Sequence, residues 1–230
     1  MIPIARTEKD DYMKDLFHRY RHVWILGYAF IYIPWFIYLE KTVTNHYYIM
    51  HVALDDLIPF NEYFIIPYLL WFVYIAAAIL FFFYTNVKDY YRLCTMLFTG
   101  MTISLVICTV FPNGTDFRPV IDPGKNICSD IVAVLYSTDT CTNVFPSIHV
   151  YNSICVHIAV LHSERLRKYR LVKTGSLILM ISISLATVFL KQHSAFDGLG
   201  SLVMAYVMYH FVYSDSFVPS REKVTEKAIS

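Results

Sequence analysis

The sequence predicts an all-α integral membrane protein, a six-helix bundle preceded by an amphipathic helix that lies on the membrane surface. Of its 230 residues, 57% are hydrophobic and only 16% are charged, whereas a soluble domain carries about 25% charged residues. Six apolar runs approach or exceed the length that crosses a bilayer. None of them alternates between apolar and polar residues, so helices rather than barrel strands would satisfy their backbone in lipid.

The elements follow in chain order. Within residues 1–22, Met13, Leu16, Phe17 and Tyr20 recur at helical spacing between charged residues, which predicts the interfacial amphipathic helix. A membrane domain over 23–215 and a cytoplasmic tail over 216–230 complete the chain. The predicted spans cover 23–39, 63–84, 93–111, 147–162, 171–190 and 196–213, and the first and fourth are near the short limit of about 17 residues.

The distribution of basic residues predicts the orientation. Of the 19 Lys and Arg residues, fifteen lie in the N-terminal segment, the second and fourth connections and the C-terminal tail. Only Lys41, Arg118, Lys125 and Lys191 lie on the other side. Because basic residues favour the cytoplasmic side, both termini are expected in the cytoplasm, and the long connection over 112–146 faces outward.

The turn before the last span carries the first candidate residues. His193 and Asp197 are four residues apart, so they share one face of a helix. An ionisable pair at the edge of a hydrophobic segment indicates a functional site. The alternative is a polar pair that only marks the end of the helix at the membrane surface.

The start of the fourth predicted span carries the second set, in the sequence Phe-Pro-Ser-Ile-His over 145–149. The backbone N–H groups of a helix N-terminus attract anions, and Ser147 adds a hydroxyl. His149 can give or take a proton near neutral pH. The alternative is a capped helix start with an interfacial histidine.

Arg118, in the outer connection, is the third candidate, because a guanidinium can bind a phosphate through two N–H groups at once. The alternative interpretation, which would apply if this residue stood alone, is a surface arginine in a polar loop. Together the three sets predict phosphoryl transfer, with His193 as nucleophile, Asp197 holding its ring, and His149 as general acid. Arg118 and Ser147 would bind the phosphate oxygens.

Other classes of partner and cofactor are not indicated. A net charge of +1 argues against nucleic acid. We see no Cys, His and carboxylate set with metal-ligand spacing and no Gly-rich phosphate loop, so no metal or other cofactor is expected.

These motifs resemble those of the type 2 phosphatidic acid phosphatase superfamily. Residues 145–149 look like its Pro-Ser-Gly-His motif, His193 and Asp197 look like the His-x-x-x-Asp of its third motif, and Arg118-Pro119 resembles the end of its first. The resemblance covers roughly residues 60–215. It implies a phospho-histidine intermediate on His193, with His149 as acid and Arg118 and Ser147 as phosphate ligands. The distribution of Lys and Arg predicts that this active site for a lipid phosphate is extracytoplasmic.

The sequence also departs from that family. Phe111 stands where the first motif has a lysine, Ala186 and Thr187 replace the Ser-Arg of the third, and Ile148 replaces a glycine. Two phosphate-binding cations are therefore missing. Lys191 is the first candidate to supply one charge, and Lys125 is the second. The form with a bulky residue before His149 is similar to the sphingomyelin and inositol phosphorylceramide synthase branch, which passes the headgroup to another lipid.

Three functions follow as alternatives: a lipid-phosphate phosphatase, a lipid phosphotransferase with a lipid alcohol as acceptor, and a non-catalytic membrane protein that binds phospholipid.

Two subsidiary predictions concern other residues. Cys128 and Cys141 share the outer connection and are expected to form a disulfide. His157, on the same helical face as His149, is expected to bond a neighbouring helix.

Overall fold

The computed structural model describes residues 20–214, which fold as an all-α chain with eight α-helices and one pair of two-residue strands. The predicted surface helix over 1–22, apart from residues 20–22, and the tail over 216–230 lie outside the described residues. The helices are α1 (Ala29–Thr42), α2 (Ala53–Leu57), α3 (Ile65–Thr85), α4 (Val87–Val110), α5 (Ile127–Thr138), α6 (Ile148–His162), α7 (Arg170–Phe189) and α8 (Ala195–Tyr213). Stretches of 3-10 helix over Arg21–Tyr28 and Glu62–Phe64 run directly into α1 and α3.

Five helical segments in this part of the chain are long and apolar enough to cross a membrane, which suggests a multi-pass membrane protein. They are Arg21–Thr42, Glu62–Thr85, Val87–Val110, Arg170–Phe189 and Ala195–Tyr213, with lengths of 22, 24, 24, 20 and 19 residues. Each coincides with a predicted span. The all-α class is thus confirmed, and five of the six predicted spans are helices that could cross a membrane.

The remaining predicted span is helix α6, and it has only 15 residues. It packs against α3, α4, α7 and α8, so it forms the centre of the bundle. Its buried residues include Asn152, Ser153 and His157. A helix enclosed by protein can carry such polar residues, because they face neighbouring helices rather than lipid.

One close approach fixes α6 against α4. Tyr151 is fully buried, and its hydroxyl donates to the carbonyl of Met96 at 2.7 Å. The ring lies where a Cβ on Gly100 would come within 2.1 Å of it. Gly100 therefore makes room for the tyrosine between the two helices.

The connections between α1 and α3, between α4 and α6 and between α7 and α8 meet at one end of the bundle, which we call the loop end. Strand β1 (Tyr48–Ile49) pairs in parallel with β2 (Asn113–Gly114) there. The backbone N–H of Asn61 donates to the carbonyl of Phe189 at 3.0 Å. The loop end thus collects all the candidate residues named from the sequence.

Candidate functional site

The two candidate histidines are neighbours at the loop end. His149 lies in the first turn of α6, and His193 lies in the turn between α7 and α8. Their ring centroids are 5.7 Å apart, with the rings edge to face. Both line a cavity of about 70 Å³. Residues that are 44 positions apart in the sequence, 149 and 193, therefore share one small chamber.

Asp197 stands behind His193 as the spacing predicted. Its Oδ2 is 3.4 Å from Nδ1 of His193, an ion-pair distance that is long for a hydrogen bond. The same oxygen accepts the backbone N–H of Ser194 at 2.9 Å, which places the carboxylate in a capping box at the start of α8. Asp197 is fully buried. With Nδ1 facing this carboxylate, Nε2 is the ring nitrogen that remains for a substrate.

Two aromatic rings from α3 hold His149. The ring of Tyr68 stacks on it at 4.5 Å, and the ring of Trp71 lies tilted at 4.5 Å. Tyr68 is buried and lines the cavity. Sequence reasoning missed both residues, because an aromatic side chain within an apolar run carries no signal of its own.

Arg118 is anchored by protein groups of the outer connection. It donates to the carbonyls of Asp139 and Thr140 at 2.7 Å each, and to the side-chain oxygen of Gln192. Its guanidinium also lies 4.8 Å from the ring centroid of Tyr136. Nε is buried and has no hydrogen-bond partner within residues 20–214. Gln192, which lines the cavity, therefore stands between Arg118 and the histidine pair.

Ser147 caps the start of α6 but its hydroxyl is not engaged. The residue is fully buried, and Oγ has no hydrogen-bond partner in the described part of the chain. Its backbone N–H donates to the carbonyl of Asp197 at 3.3 Å, and its carbonyl accepts from the Ser201 hydroxyl at 2.7 Å. These bonds tie the helix of His149 to the helix of Asp197.

Lys191 points away from the cavity, contrary to its predicted role as a phosphate ligand. Its ammonium is buried and donates to the backbone carbonyls of Asp55 at 2.6 Å and Ile58. The physical reason is the free carbonyl end of α2, which attracts a cation more closely than the histidine cavity does.

Two carboxylates that sequence reasoning also missed line the cavity wall, Glu40 and Asp139. Glu40 accepts from the backbone N–H and the hydroxyl of Thr140 at 3.3 and 2.6 Å, and from the Asn143 amide at 2.9 Å. Burial raises the pKa of Asp139, and the adjacent Arg118 only partly offsets this. The position of Glu40, an acid at the edge of the first apolar run, was the one available signal.

The predicted disulfide between Cys128 and Cys141 is wrong, since both thiols are free. Cys128 lies in the first turn of α5 and packs against the buried cluster around Ile65 and Val132. The Sγ of Cys141 instead lies 3.7 Å from the hydroxyl of Tyr47. Each thiol is thus held by a different set of neighbours.

The side chain of His157 links helices α6 and α7. His157 Nδ1 lies 2.9 Å from the Ser176 hydroxyl, which also bonds the Tyr74 hydroxyl at 2.6 Å, so the prediction that His157 bonds a neighbouring helix is confirmed. Within residues 20–214, no three His, Cys, Asp or Glu residues lie close enough together to hold a metal ion.

Comparison of the chain with protein-family models, with curated proteins and with solved structures found no match. The resemblance to the phosphatidic acid phosphatase superfamily therefore rests on the motif residues of the sequence alone.

Proposed function

We propose that this protein is a membrane lipid-phosphate phosphatase that works through a phospho-histidine intermediate on His193. The observation that carries the proposal is the pair of imidazoles, 5.7 Å apart in one cavity, with a buried carboxylate behind the second. A binding protein needs cations more than two titrating rings. The pair thus favours catalysis over the non-catalytic alternative.

The reaction would proceed in two steps. Nε2 of His193 attacks phosphorus, the bond from phosphorus to the lipid oxygen breaks, and His149 gives its proton to the leaving oxygen. Water then attacks the phospho-histidine while His149 takes its proton, so that inorganic phosphate leaves and both rings return to their starting state. Asp197 stabilises the positive charge that develops on His193.

Phosphate oxygens would be held by donors in the cavity wall. Gln192 lines the cavity, and its Nε2 is buried without a hydrogen-bond partner in the described chain. Arg118 donates a hydrogen bond to the side-chain oxygen of Gln192, so its positive charge is separated from the cavity by the Gln192 side chain. Phe111, Ala186 and Thr187, where the family pattern has other residues, are not among the residues that line this cavity.

A specific observation supports the phosphotransferase as the second candidate. Glu40 and Asp139 both line the cavity, and Lys191 is turned away from it. Negative groups in the wall oppose a doubly charged phosphomonoester more than a singly charged phosphodiester. A phosphodiester donor, with a lipid alcohol as acceptor, would use the same His193 intermediate.

The proposal includes a membrane topology with six spans. Helix α6 starts at the loop end, where Ser147 bonds Asp197, and the following helix α7 returns to that end at Phe189. α6 therefore runs through the bundle and would complete the set of six spans, as the fourth in chain order. With the Lys and Arg distribution, both termini would be cytoplasmic and the cavity extracytoplasmic.

The test is a turnover assay on protein purified in detergent, with a panel of radiolabelled lipid phosphates and phosphodiesters, a metal chelator, and with or without diacylglycerol. We expect release of phosphate and an acid-labile, alkali-stable label on the protein that His193→Gln abolishes. His51→Gln is the matched control, because His51 is at the loop end but pairs with Asp56 outside the cavity. Full turnover by His193→Gln would overturn the nucleophile assignment, and product formation only with diacylglycerol would select the transferase.

A further inference from the structure

The turn that carries His193 is held from both sides by one short segment. Before the histidine, the Lys191 ammonium donates to the carbonyls of Asp55 and Ile58 in and just after α2. After it, the Asp55 carboxylate binds Ser194 and Ala195 at the start of α8. These contacts join residues that lie more than 130 positions apart in the chain, as 55 and 191 do.

Both oxygens of the Asp55 carboxylate accept hydrogen bonds. Its Oδ1 accepts the backbone N–H of Ala195 at 2.8 Å. Its Oδ2 accepts the Ser194 hydroxyl at 2.6 Å and the backbone N–H of Val52 at 2.9 Å. Asp55 is 3% exposed, so these three donors replace its water.

The bond to Ser194 controls the cap of α8. The Ser194 hydroxyl donates to Asp55 and so presents its oxygen to the backbone N–H of Phe196, at 3.2 Å. The same residue donates its own backbone N–H to Asp197. Asp55 therefore holds Ser194 in place, and Ser194 in turn holds Asp197, whose carboxylate faces His193.

Lys191 fixes the other side of the turn. Its backbone is in the left-handed region, with φ of 52°, and the backbone N–H groups of Gln192 and His193 both donate to the carbonyl of Thr187, at 2.9 and 3.1 Å. The buried ammonium at the carbonyl end of α2 holds this tight reversal in place. Among the described residues, neither Lys191 nor Asp55 is part of the cavity lining.

We infer that Asp55 and Lys191 are positioning residues for His193, acting through α2 to set the distance between this imidazole and Asp197. The expected effect on catalytic turnover rests on the proposed function. The positioning of the His193 turn by Asp55 and Lys191 rests on the contacts alone. Segment 53–58 is then part of the catalytic framework, although it supplies no group that touches substrate.

Asp55→Asn is the decisive variant, because it keeps the shape and replaces one acceptor oxygen with an NH₂ group that faces donors. We expect the rate of His193 phosphorylation in a single turnover to fall roughly tenfold or more, with KM changed less than about twofold. Lys191→Met should act in the same direction, and the double variant should lose little beyond the more damaging single variant. Asp56→Asn is the control, since Asp56 is exposed and pairs with His51.

The contacts of Asp55 and Lys191 with the turn that carries His193 are called the clamp below. Hydrogen exchange of the backbone amides in 190–197 measures the clamp independently of catalytic activity. Wild type and Asp56→Asn should be protected there, and Asp55→Asn should exchange roughly tenfold faster. Unchanged exchange and an unchanged phosphorylation rate in Asp55→Asn would overturn the inference. If the wild type formed no phospho-enzyme with any lipid, the proposed function would fall, and the exchange data would still decide the clamp.

Discussion

The side-chain oxygen of Gln192 accepts a hydrogen bond from the guanidinium of Arg118. Gln192 is 2% exposed and lines the cavity of the histidine pair, so it connects the arginine of the outer connection to the proposed nucleophile next to it in sequence. Its oxygen is thus bound to a cation, while its amide nitrogen is buried without a hydrogen-bond partner among the described residues. This division gives the first prediction.

Gln192→Glu should separate stability from turnover. The new carboxylate keeps an acceptor for Arg118, so the melting temperature in detergent should not fall. It also removes the unpaired amide donor of a residue that lines the cavity and adds a negative charge there, so phosphate release should slow roughly 10–100-fold. Gln192→Leu is the comparison, and it should lower the melting temperature because it leaves part of the buried guanidinium without an acceptor. Wild-type turnover by Gln192→Glu would remove Gln192 from the phosphate site.

His149→Gln should affect substrates according to their leaving groups. A lipid alkoxide needs a proton as it leaves, so we expect a loss of about 100-fold or more with a lipid phosphate. Nitrophenolate leaves without one, so the loss with nitrophenyl phosphate should be far smaller. The ratio of kcat/KM for the two substrates measures this directly, and it corrects for any loss of folded protein. An equal loss on both substrates would contradict the general-acid assignment.

Gly100→Ala should destabilise the bundle without touching the site. The added Cβ would lie 2.1 Å from the Tyr151 ring, so α4 and α6 would have to move apart, at a cost of about 1–3 kcal/mol. The melting temperature in detergent should fall accordingly. Gly175→Ala is the matched control, because a Cβ there meets no atom of residues 20–214 within 4 Å. That variant should be neutral or slightly more stable.

Asp139→Asn should change the pH dependence of stability. Burial raises the pKa of Asp139 in the folded protein, so its ionisation favours unfolding, and the folded state loses stability as the pH rises through that pKa. Replacing the carboxylate removes this loss. The variant should therefore melt at a higher temperature than wild type at pH 7, and the difference should shrink toward the ordinary carboxyl pKa of about 4. Asp122→Asn, at an exposed position, should show no such trend. A variant that is less stable than wild type at pH 7 would contradict the prediction.

Local patterns in the sequence predicted His193, Asp197 and His149 as site residues, and the structure brings the three side chains close together. The spacing of His193 and Asp197 implied one helical face. In the structure His193 lies in the turn before α8 and only Asp197 is in the helix, but their side chains still come within 3.4 Å of each other. Lys191 shows where such reasoning stops. Its charge and its place near the nucleophile predicted a phosphate ligand, but the carbonyls that bind it belong to residues 55 and 58.

The amino-acid sequence by itself determined the all-α class, the apolar helices and the side chains able to carry the proposed chemistry, because hydrophobicity and helical periodicity act over neighbouring residues. Only the tertiary structure decided which partners those side chains have. It enclosed the short helix α6, bound Arg118 to Gln192, left Cys128 and Cys141 apart, and set Asp55 on the start of α8. These contacts join segments far apart in the chain, and they form because buried polar groups must find hydrogen-bond partners wherever the packing of the helices brings them.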